Sequence, residues 1–319
     1  MSHLPLGGGS EFDSIRQILV ELGDLAIGIG DDTATIAEGQ GTLVMSTDTS
    51  VENVHFRREW LSAEEIGWRA TAAALSDLAA AAAAPSGVML ALTLPQGMAD
   101  AELRSLVQGI GAATRSAGAR IIGGDLVTAD HLALTVTVAG RALRPMSRRG
   151  ARPGDEVWVS GVLGGSRAAL LDWIDGINPS VGARNAFARP QSRHRLAMWL
   201  ASQGATAMMD LSDGLAGDVP HLAAASGVKV TVDLAAVPIH PSVHKVAERS
   251  GQDARELAAT GGEDYELLFT LPAGSPAGAL AEPATGQPVT RIGVVADGEG
   301  ADFRLGDRLA TLQGYRHQR

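Results

Sequence analysis

The alternation of apolar and polar positions along the chain predicts interleaved helices and strands. A capping-box pair, Ser62 and Glu65, marks the start of a long helix. In the N-terminal half the pattern predicts helices at 14–22, 62 to about 83 and about 99–116, and strands at 25–29, 42–47, 88–94, 119–122 and 132–140.

An arginine-, proline- and glycine-rich stretch at 141–154 is typical of a domain boundary, which we place between residues 143 and 144. The domains are then 1–143 and 144–319. In the second domain we expect helices near 165–174, 191–202, 215–226 and 242–258, and strands near 156–160, 228–233, 265–271 and 289–295. Because the order has no strict βαβ rhythm, it favours two mixed α/β domains over a doubly wound parallel sheet.

Hydrophobic residues make up 45% and charged residues 19% of the 319-residue chain, a balance typical of a folded protein. The net charge of −10 argues against nucleic-acid binding, which requires a basic surface. Nearly all cations are arginines, with lysine only at Lys229 and Lys245. An acidic protein that handles anionic phosphates would take its positive charge from bound metal.

The absence of cysteine excludes disulfides, thiolate zinc sites and cysteine nucleophiles. No uncharged apolar run reaches the length of about 18 residues that spanning a membrane requires. The N-terminal sequence MSHLPLGGGSEF also lacks the basic-then-apolar order of a secretory signal. These features favour a cytoplasmic enzyme with no membrane partner.

Aspartates recur at the predicted ends of strands or within glycine turns. They are Asp31 and Asp32 in GIGDD, Asp48 in STDT, Asp125 in GGD, and Asp210 and Asp213 in DLSDG. A single Asp-Gly turn is more often only a turn, but coincidence does not explain the repetition. Carboxylates at such turns are hard oxygen ligands, and magnesium typically uses one or two of them together with substrate phosphates.

Asp77 lies within a predicted helix, on a face made of alanines at the positions three and four residues away. A carboxylate on an apolar face needs a compensating partner, because burying an unpaired charge is unfavourable. No arginine or lysine occupies those neighbouring positions, so a metal ligand is favoured over a local salt bridge.

STDT adds the hydroxyls of Ser46 and Thr47 beside Asp48, which we interpret as further oxygen ligands rather than as a turn or helix cap. His55 follows closely, and this closeness favours substrate contact over the structural role that a lone histidine usually has. GVLGGS (161–166) could direct backbone N–H groups at an anion, but a plain strand–helix turn is the favoured interpretation. Neither a GxxxxGK[ST] phosphate loop nor a GxSxG elbow is present.

The ordered set GIGDD, STDT with NVHF, LSDLAA, IIGGD, RRGARPGD, DLSDG and GGEDYEL resembles the thiamine-monophosphate kinase family. That family belongs to the aminoimidazole ribonucleotide synthetase-like superfamily. The resemblance runs from about residue 10 to the GY near 315. It implies two α/β domains of the superfamily type, a homodimer, and transfer of the ATP γ-phosphoryl group to thiamine monophosphate.

The resemblance also implies the roles of individual residues. Several magnesium ions would be bound by Asp32, Ser46, Thr47, Asp48, Asp77, Asp125, Asp210 and Asp213. ATP would be faced by Gly124, Asp125, Arg148 (favoured over Arg149 by the motif match) and Ser212. Thiamine monophosphate would be contacted by His55, Glu263 and Tyr315. The N-terminal domain would bind ATP and metal and form the dimer, and the C-terminal domain would complete the active site.

Joining two phosphates brings anion against anion, so the chemistry needs charge neutralisation and in-line positioning more than an acid–base group. We therefore assign the catalytic roles to Asp48, Asp210 and Arg148, with direct transfer and no phosphoenzyme. Other superfamily reactions remain alternatives, although the selenophosphate and hydrogenase-maturation branches rely on a reactive cysteine or selenocysteine and this chain has no cysteine. A non-catalytic metal- or nucleotide-binding protein would be indicated by a defective acidic motif, and none is broken.

Overall fold

A computed structural model describes residues 10–27, 29, 36 and 38–314. The chain forms two compact units. One consists of Met1–Leu78 and Ala83–Leu143, and the other of Ala79–Ala82 and Arg144–Arg319. Both combine helices with mixed sheets, so the predicted α/β class is confirmed.

The N-terminal unit carries one four-stranded sheet in the order β1-β4-β2-β3. Its helices are α1 (Ser10–Leu22), α2 (Ala63–Ala80) and α3 (Asp100–Ser116), and its strands are β1 (Thr42–Val51), β2 (Ala84–Pro95), β3 (Arg120–Ala129) and β4 (Ala133–Ala142). β4 is antiparallel to β1 and β2, whereas β3 is parallel to β2. The predicted capping box opens α2: the Ser62 N–H donates to Glu65 Oε2 at 2.8 Å and the Glu65 N–H donates to Ser62 Oγ at 3.3 Å.

Helices α2 and α3 approach each other through glycines. A Cβ on Gly109 would lie 1.9 Å from the Glu64 carbonyl oxygen, and one on Gly67 would lie 2.1 Å from the Leu106 carbonyl oxygen. No side chain fits at either position, because atoms cannot approach this closely without displacing the backbone. Because Gly67 and Gly109 carry only a hydrogen atom in place of a side chain, the backbones of the two helices can come into contact at this crossing.

Two acidic motifs that we placed at strand ends lie within strands instead. β1 continues through STDT to Val51, and β3 continues through Gly123–Asp125 to Ala129. Each is an edge strand whose full length pairs with its neighbour, β1 with β4 and β3 with β2. The cross-strand hydrogen bonds therefore extend both strands beyond the predicted ends at 47 and 122. The strand predicted at 25–29 starts too early, because Leu25 belongs to a 3₁₀ helix (Gly23–Leu25). Ala26 then forms a bridge to Ile121, Ile29 lies in a further bridge, and residue 28 lies outside the described residues.

The C-terminal unit has a seven-stranded sheet in the order β11-β10-β7-β9-β5-β8-β6. Its strands are β5 (Glu156–Ser160), β6 (Ala207–Asp210), β7 (Lys229–Asp233), β8 (Leu267–Leu271), β9 (Val289–Ala296), β10 (Gly300–Leu305) and β11 (Arg308–Ala310). Its helices are α4 (Gly165–Ile174), α5 (Val181–Ala188), α6 (His194–Ser202), α7 (Leu215–Ser226), α8 (Pro241–Ser250), α9 (Ala254–Ala259) and α10 (Ala277–Thr285). Two buried clusters form its core, one including Val159, Met209 and Leu268 and the other Leu200, Met208 and Phe269.

The helix predicted at 242–258 is two helices, α8 and α9. Gly251 ends α8 with a left-handed φ of 68°, and the Asp253 side chain caps α9 by accepting from the Arg255 N–H. The helix expected at 191–202 begins only at His194. None of the helices within the described part of the chain has the length and apolar character needed to cross a membrane.

Candidate active site

Two of the sequence motifs meet in the C-terminal unit, where DLSDG (210–214) lies against GGEDYEL (261–267). The strands that carry them are neighbours, since Asp210 at the end of β6 pairs with Leu267 at the start of β8. Beyond the strands, backbone N–H groups of the second segment bond to carbonyls of the first: Glu263 to Ser212 at 2.7 Å and Tyr265 to Leu211 at 2.9 Å. The predicted nucleotide residue Ser212 and the predicted substrate residue Glu263 are therefore adjacent.

Glycines permit this close approach. Gly214 has φ +80°, and a Cβ there would lie 2.3 Å from the Gly261 carbonyl oxygen. A Cβ on Gly262 would lie 2.4 Å from the Ser212 carbonyl oxygen. Any larger residue at either position would separate the two segments.

Glu263 and Tyr265 have positive φ values of 69° and 51°, which residues other than glycine rarely adopt. Hydrogen bonds maintain the conformation: the Ser166 hydroxyl donates to the Glu263 carbonyl at 2.7 Å, and the Tyr265 hydroxyl donates to Glu263 Oε2 at 3.1 Å. Backbone strain of this kind is concentrated at functional sites, where the surroundings hold a side chain in a required position. It supports a functional role for Glu263.

The start of α4, which we considered as an anion site, is occupied by the protein's own carboxylate. The Gly164 N–H donates to Asp264 Oδ2 at 2.8 Å. The pKa of Asp264 is raised to about 8, mainly by burial and also by the charge of Glu266, against the opposing effect of hydrogen bonds from the Gly164 and Ser166 backbones. GVLGGS therefore orders the loop that carries Glu263, as the favoured interpretation of a strand–helix turn implies.

Asp210, Asp213 and Asp218 form an acidic cluster around the start of α7. Asp210 and Asp218 are buried, and Asp218 Oδ2 accepts the Asp213 N–H at 3.0 Å. The pKa of Asp218 is raised to about 8, mainly by burial and also by the charges of Asp213 and Asp210, while the hydrogen bond from the Asp213 N–H and the charge of the nearby Arg148 lower it. The C-terminal unit thus brings together four charged residues, of which we had predicted Arg148, Asp210 and Asp213.

We had not singled out Asp218 or Asp264. A usable signal existed for Asp218, because Gly214, Leu215 and Leu222 occupy three of the four positions three and four residues away from it, with His221 at the fourth. That is the same argument that identified Asp77. No comparable pattern marks Asp264, because its burial depends on contact with α4, a hundred residues away in sequence.

In the N-terminal unit, Ser46 and Asp77 are brought together. The Ser46 hydroxyl donates to Asp77 Oδ2 at 2.5 Å, which joins β1 to α2. Asp48, two residues further along β1, has its side chain on the same face as Ser46, and its Oδ1 accepts the Thr49 N–H at 2.7 Å. Thr47 lies on the opposite face, with its hydroxyl 2.8 Å from that of Thr137.

Gly124 and Asp125 lie on the other edge of the same sheet. Asp48, Val136, Leu90 and Gly124 form one cross-strand row, so β1 and β3 are about 14 Å apart at this level, three strand spacings. Asp125 belongs to the next row and so lies on the opposite face from Asp48. Because of this separation, the two aspartates of one chain do not share a ligand atom.

His55 lies in a tight turn after β1, where its Nδ1 accepts the Val51 N–H at 3.1 Å. The neutral ring therefore carries its proton on Nε2. Asp31, Asp32 and Tyr315 fall outside the described residues, and their roles stay predictions.

Among residues 10–27, 29, 36 and 38–314, no group of three or more His, Asp or Glu side chains is placed to hold a metal ion. The candidate donors occur instead as small sets of oxygen atoms: a hydroxyl with a carboxylate at Ser46 and Asp77, and the carboxylates at Asp210 and Asp213. Such sets fit magnesium, which takes hard oxygen ligands and completes its coordination with phosphates and water.

Two family models match the chain in succession. "AIR synthase related protein, N-terminal domain" covers residues 30–142, and "AIR synthase related protein, C-terminal domain" covers residues 152–306. Together with the fold, these matches define the class: a two-domain protein related to AIR synthase.

Individual relatives narrow this class. A thiamine-monophosphate kinase of Rhodopirellula baltica is 35% identical over 301 residues, which cover 91% of this chain and 89% of the relative. A crystal structure of thiamine-monophosphate kinase from Stenotrophomonas maltophilia is 35% identical with a TM-score of 0.81, over 93% of this chain and 96% of that one. The structure of AaThiL complexed with AMPPCP and TMP is 30% identical with a TM-score of 0.77, over 97% of each chain. The chain belongs to the thiamine-monophosphate kinase family.

The raised pKa of Asp264 predicts a pH-dependent stability. Its pKa is raised from 3.8 to about 8, so between these values the folded protein keeps a proton that the unfolded chain releases. The free energy of unfolding should therefore fall as pH rises from 4 to 8, by at most about 1.4 kcal/mol per pH unit for this proton. Asp264→Asn, which keeps an acceptor for Gly164, should make that slope shallower in urea unfolding with EDTA present. The exposed Asp297→Asn is the control, and equal slopes for all three proteins would contradict the assignment.

Proposed function

We propose that the protein transfers the γ-phosphoryl group of ATP to the phosphate of thiamine monophosphate, giving thiamine diphosphate. Membership of the thiamine-monophosphate kinase family carries the proposal. A relative that aligns with 97% of this chain has been solved with AMPPCP, a non-hydrolysable ATP analogue, and TMP. The adjacency of DLSDG and GGEDYEL supports it further, because nucleotide and acceptor must meet for direct transfer.

Within this reaction the residues of the C-terminal unit take distinct roles. Arg148 provides a fixed cation for the nucleotide phosphates, and Ser212 faces the nucleotide. Glu263, held at positive φ, contacts the thiamine portion of the substrate. His55 of the N-terminal unit and Tyr315 stay predicted substrate contacts. The acceptor phosphate is already largely ionised at neutral pH, so a strong general base is not required.

Several magnesium ions would be held by Asp32, Ser46, Thr47, Asp48, Asp77, Asp125, Asp210 and Asp213. Bound magnesium would neutralise phosphate charge and align the reacting groups. The carboxylates of the acidic cluster repel one another and the anionic substrates, and the burial of Asp210 strengthens that repulsion. A bound divalent cation would reduce both the repulsion among the carboxylates and their repulsion of the substrates.

The N-terminal unit would also form a homodimer. One face of its sheet carries exposed apolar side chains at Leu43 (42%), Met45 (54%) and Val127 (49%). Sheets commonly bury such a face against a second sheet. A second copy of this chain is the occupant we propose.

The reaction uses ATP, and we assign the protein to the cytoplasm, where ATP is supplied; cell fractionation tests this.

The dimer should dissociate when charge is placed on that face. We expect light scattering to report a dimer for the wild type and a monomer for Met45→Glu, because an unpaired carboxylate would be buried in the interface. Ile174→Glu, which alters an apolar side chain 61% exposed on α4, is the control and should stay dimeric. A monomeric wild type, or a dimeric Met45→Glu, would refute the interface.

Loss of a metal-holding carboxylate should remove turnover without unfolding the protein. Asp210→Asn and Asp48→Asn are nearly isosteric but lose the charge, so each should lower kcat by at least about 100-fold and raise the magnesium concentration required. The controls are Asp130→Asn and Asp297→Asn, which change aspartates at exposed positions. EDTA should abolish activity while the circular dichroism spectrum persists. Near-normal kcat in both variants would mean that these carboxylates are structural.

Acceptor choice tests the reaction itself. Thiamine monophosphate should be phosphorylated with a kcat/KM at least about 1,000-fold above that of free thiamine, because only the phosphate arrives ionised and able to share magnesium with ATP. The measurement compares both acceptors at saturating ATP and magnesium by quantifying thiamine diphosphate and thiamine monophosphate. Comparable values would point to a kinase of the thiamine alcohol.

A further inference from the structure

The last residue of α7, Ser226, makes three hydrogen bonds to the segment that carries Arg148. Its hydroxyl donates to the Arg148 carbonyl at 2.8 Å and accepts the N–H groups of Gly150 at 3.1 Å and Ala151 at 3.2 Å. A serine hydroxyl has one proton and two acceptor lone pairs. Its whole hydrogen-bonding capacity is therefore directed to residues 148–151.

This segment has an unusual backbone that needs support. Gly150 has φ +136°, and a Cβ there would lie 2.3 Å from the Thr206 carbonyl oxygen. A second anchor lies just before it, where the Met208 N–H donates to the Ser147 carbonyl at 2.9 Å. Arg148 itself is exposed, so backbone bonds rather than packing determine where its side chain begins.

The same helix holds the acidic cluster at its other end. α7 follows directly after DLSDG, and Asp218 in its first turns accepts the Asp213 N–H. Arg148 is close enough to Asp218 to interact with its charge. The side chain of Ser226 thus bonds to the segment that carries Arg148, and the side chain of Asp218 bonds to the loop that carries Asp213. Both side chains belong to α7, so the length of this helix sets their spacing.

We propose that Ser226 is a positioning residue for Arg148, which it holds at the place where the guanidinium meets the phosphates of a nucleoside triphosphate. The inference rests on the proposed function, in which Arg148 contacts ATP. Ser226 contacts no substrate and acts only through the 148–151 segment.

The test is Ser226→Ala in the full-length protein. We expect kcat/KM for ATP to fall about tenfold, mainly through a higher KM, and the Kd of AMPPCP with magnesium to rise similarly, because a displaced charged group binds weakly. KM for thiamine monophosphate should change less than about twofold. Ser226→Thr keeps the hydroxyl and should restore most of the ATP affinity.

Ser250→Ala is the matched control. Ser250 is the last residue of α8 and, like Ser226, precedes a glycine in the left-handed region, but it bonds only to Ala247 and Gln252. A general effect of losing a helix-terminal serine would appear in both variants. Equal loss of ATP affinity in the two would overturn the proposal.

A double-mutant cycle separates positioning from a merely structural role. If Ser226 acts through Arg148, then Ser226→Ala should cause no further loss of AMPPCP affinity in an Arg148→Ala background. Losses that multiply, or an unchanged Kd for Ser226→Ala alone, would overturn the proposal. A wild type that binds AMPPCP but does not phosphorylate thiamine monophosphate would refute the proposed function while the AMPPCP cycle still decides on Ser226. A wild type that binds no AMPPCP would overturn both.

Discussion

The exchange of backbone hydrogen bonds between residues 210–214 and 261–267 is the constraint on which the rest of the C-terminal site depends. These bonds join chain segments about fifty residues apart and continue the β6–β8 pairing beyond the ends of both strands. They are possible only because glycine occupies positions 214 and 262. Once the segments are joined, the backbone positions of Ser212, Asp213 and Glu263 depend on one another, which favours a site arranged before a ligand binds.

Electrostatics opposes this arrangement. The acidic cluster concentrates carboxyl groups where they are shielded from water, and the positive charge of Arg148 partly compensates them by lowering the pKa of Asp218. Burying like charges together is unfavourable unless something compensates them, which is why such clusters are usually functional rather than structural. The pKa of Asp264 is also raised to about 8, although backbone N–H groups at the start of α4 oppose the shift. Asp218 and Asp264 thus differ in the groups that surround their carboxyls.

Much of the fold was predictable wherever local signals suffice. The capping box at Ser62 and Glu65, the extent of α7 and the β5 and β9 strands all follow from short-range patterns. The lengths of β1 and β3 could not be predicted from local sequence. They depend on pairing with β4 and β2, and no local residue ends either strand. The division of α8 from α9 was visible in Ser250-Gly251 but was overridden by the apolar periodicity on both sides.

The ordered sequence motifs indicated which residues belong to the candidate active site. They could not say how the set is arranged. Asp48 and Asp125 look equivalent in sequence, yet the sheet order places them on opposite edges and opposite faces. Conversely, Ser46 and Asp77 are 31 residues apart and share a hydrogen bond. Strand order and register, which are long-range properties, decide both outcomes.

The glycine crossing of α2 and α3 also bears on the position of Asp77. Asp77 lies ten residues along α2 from Gly67, a lever arm of about 15 Å. A rotation of only about 5° about the crossing would therefore move Asp77 by about 1.3 Å, which is more than its 2.5 Å hydrogen bond to Ser46 tolerates. The close packing at Gly67 and Gly109 thus contributes to the alignment of a candidate metal ligand.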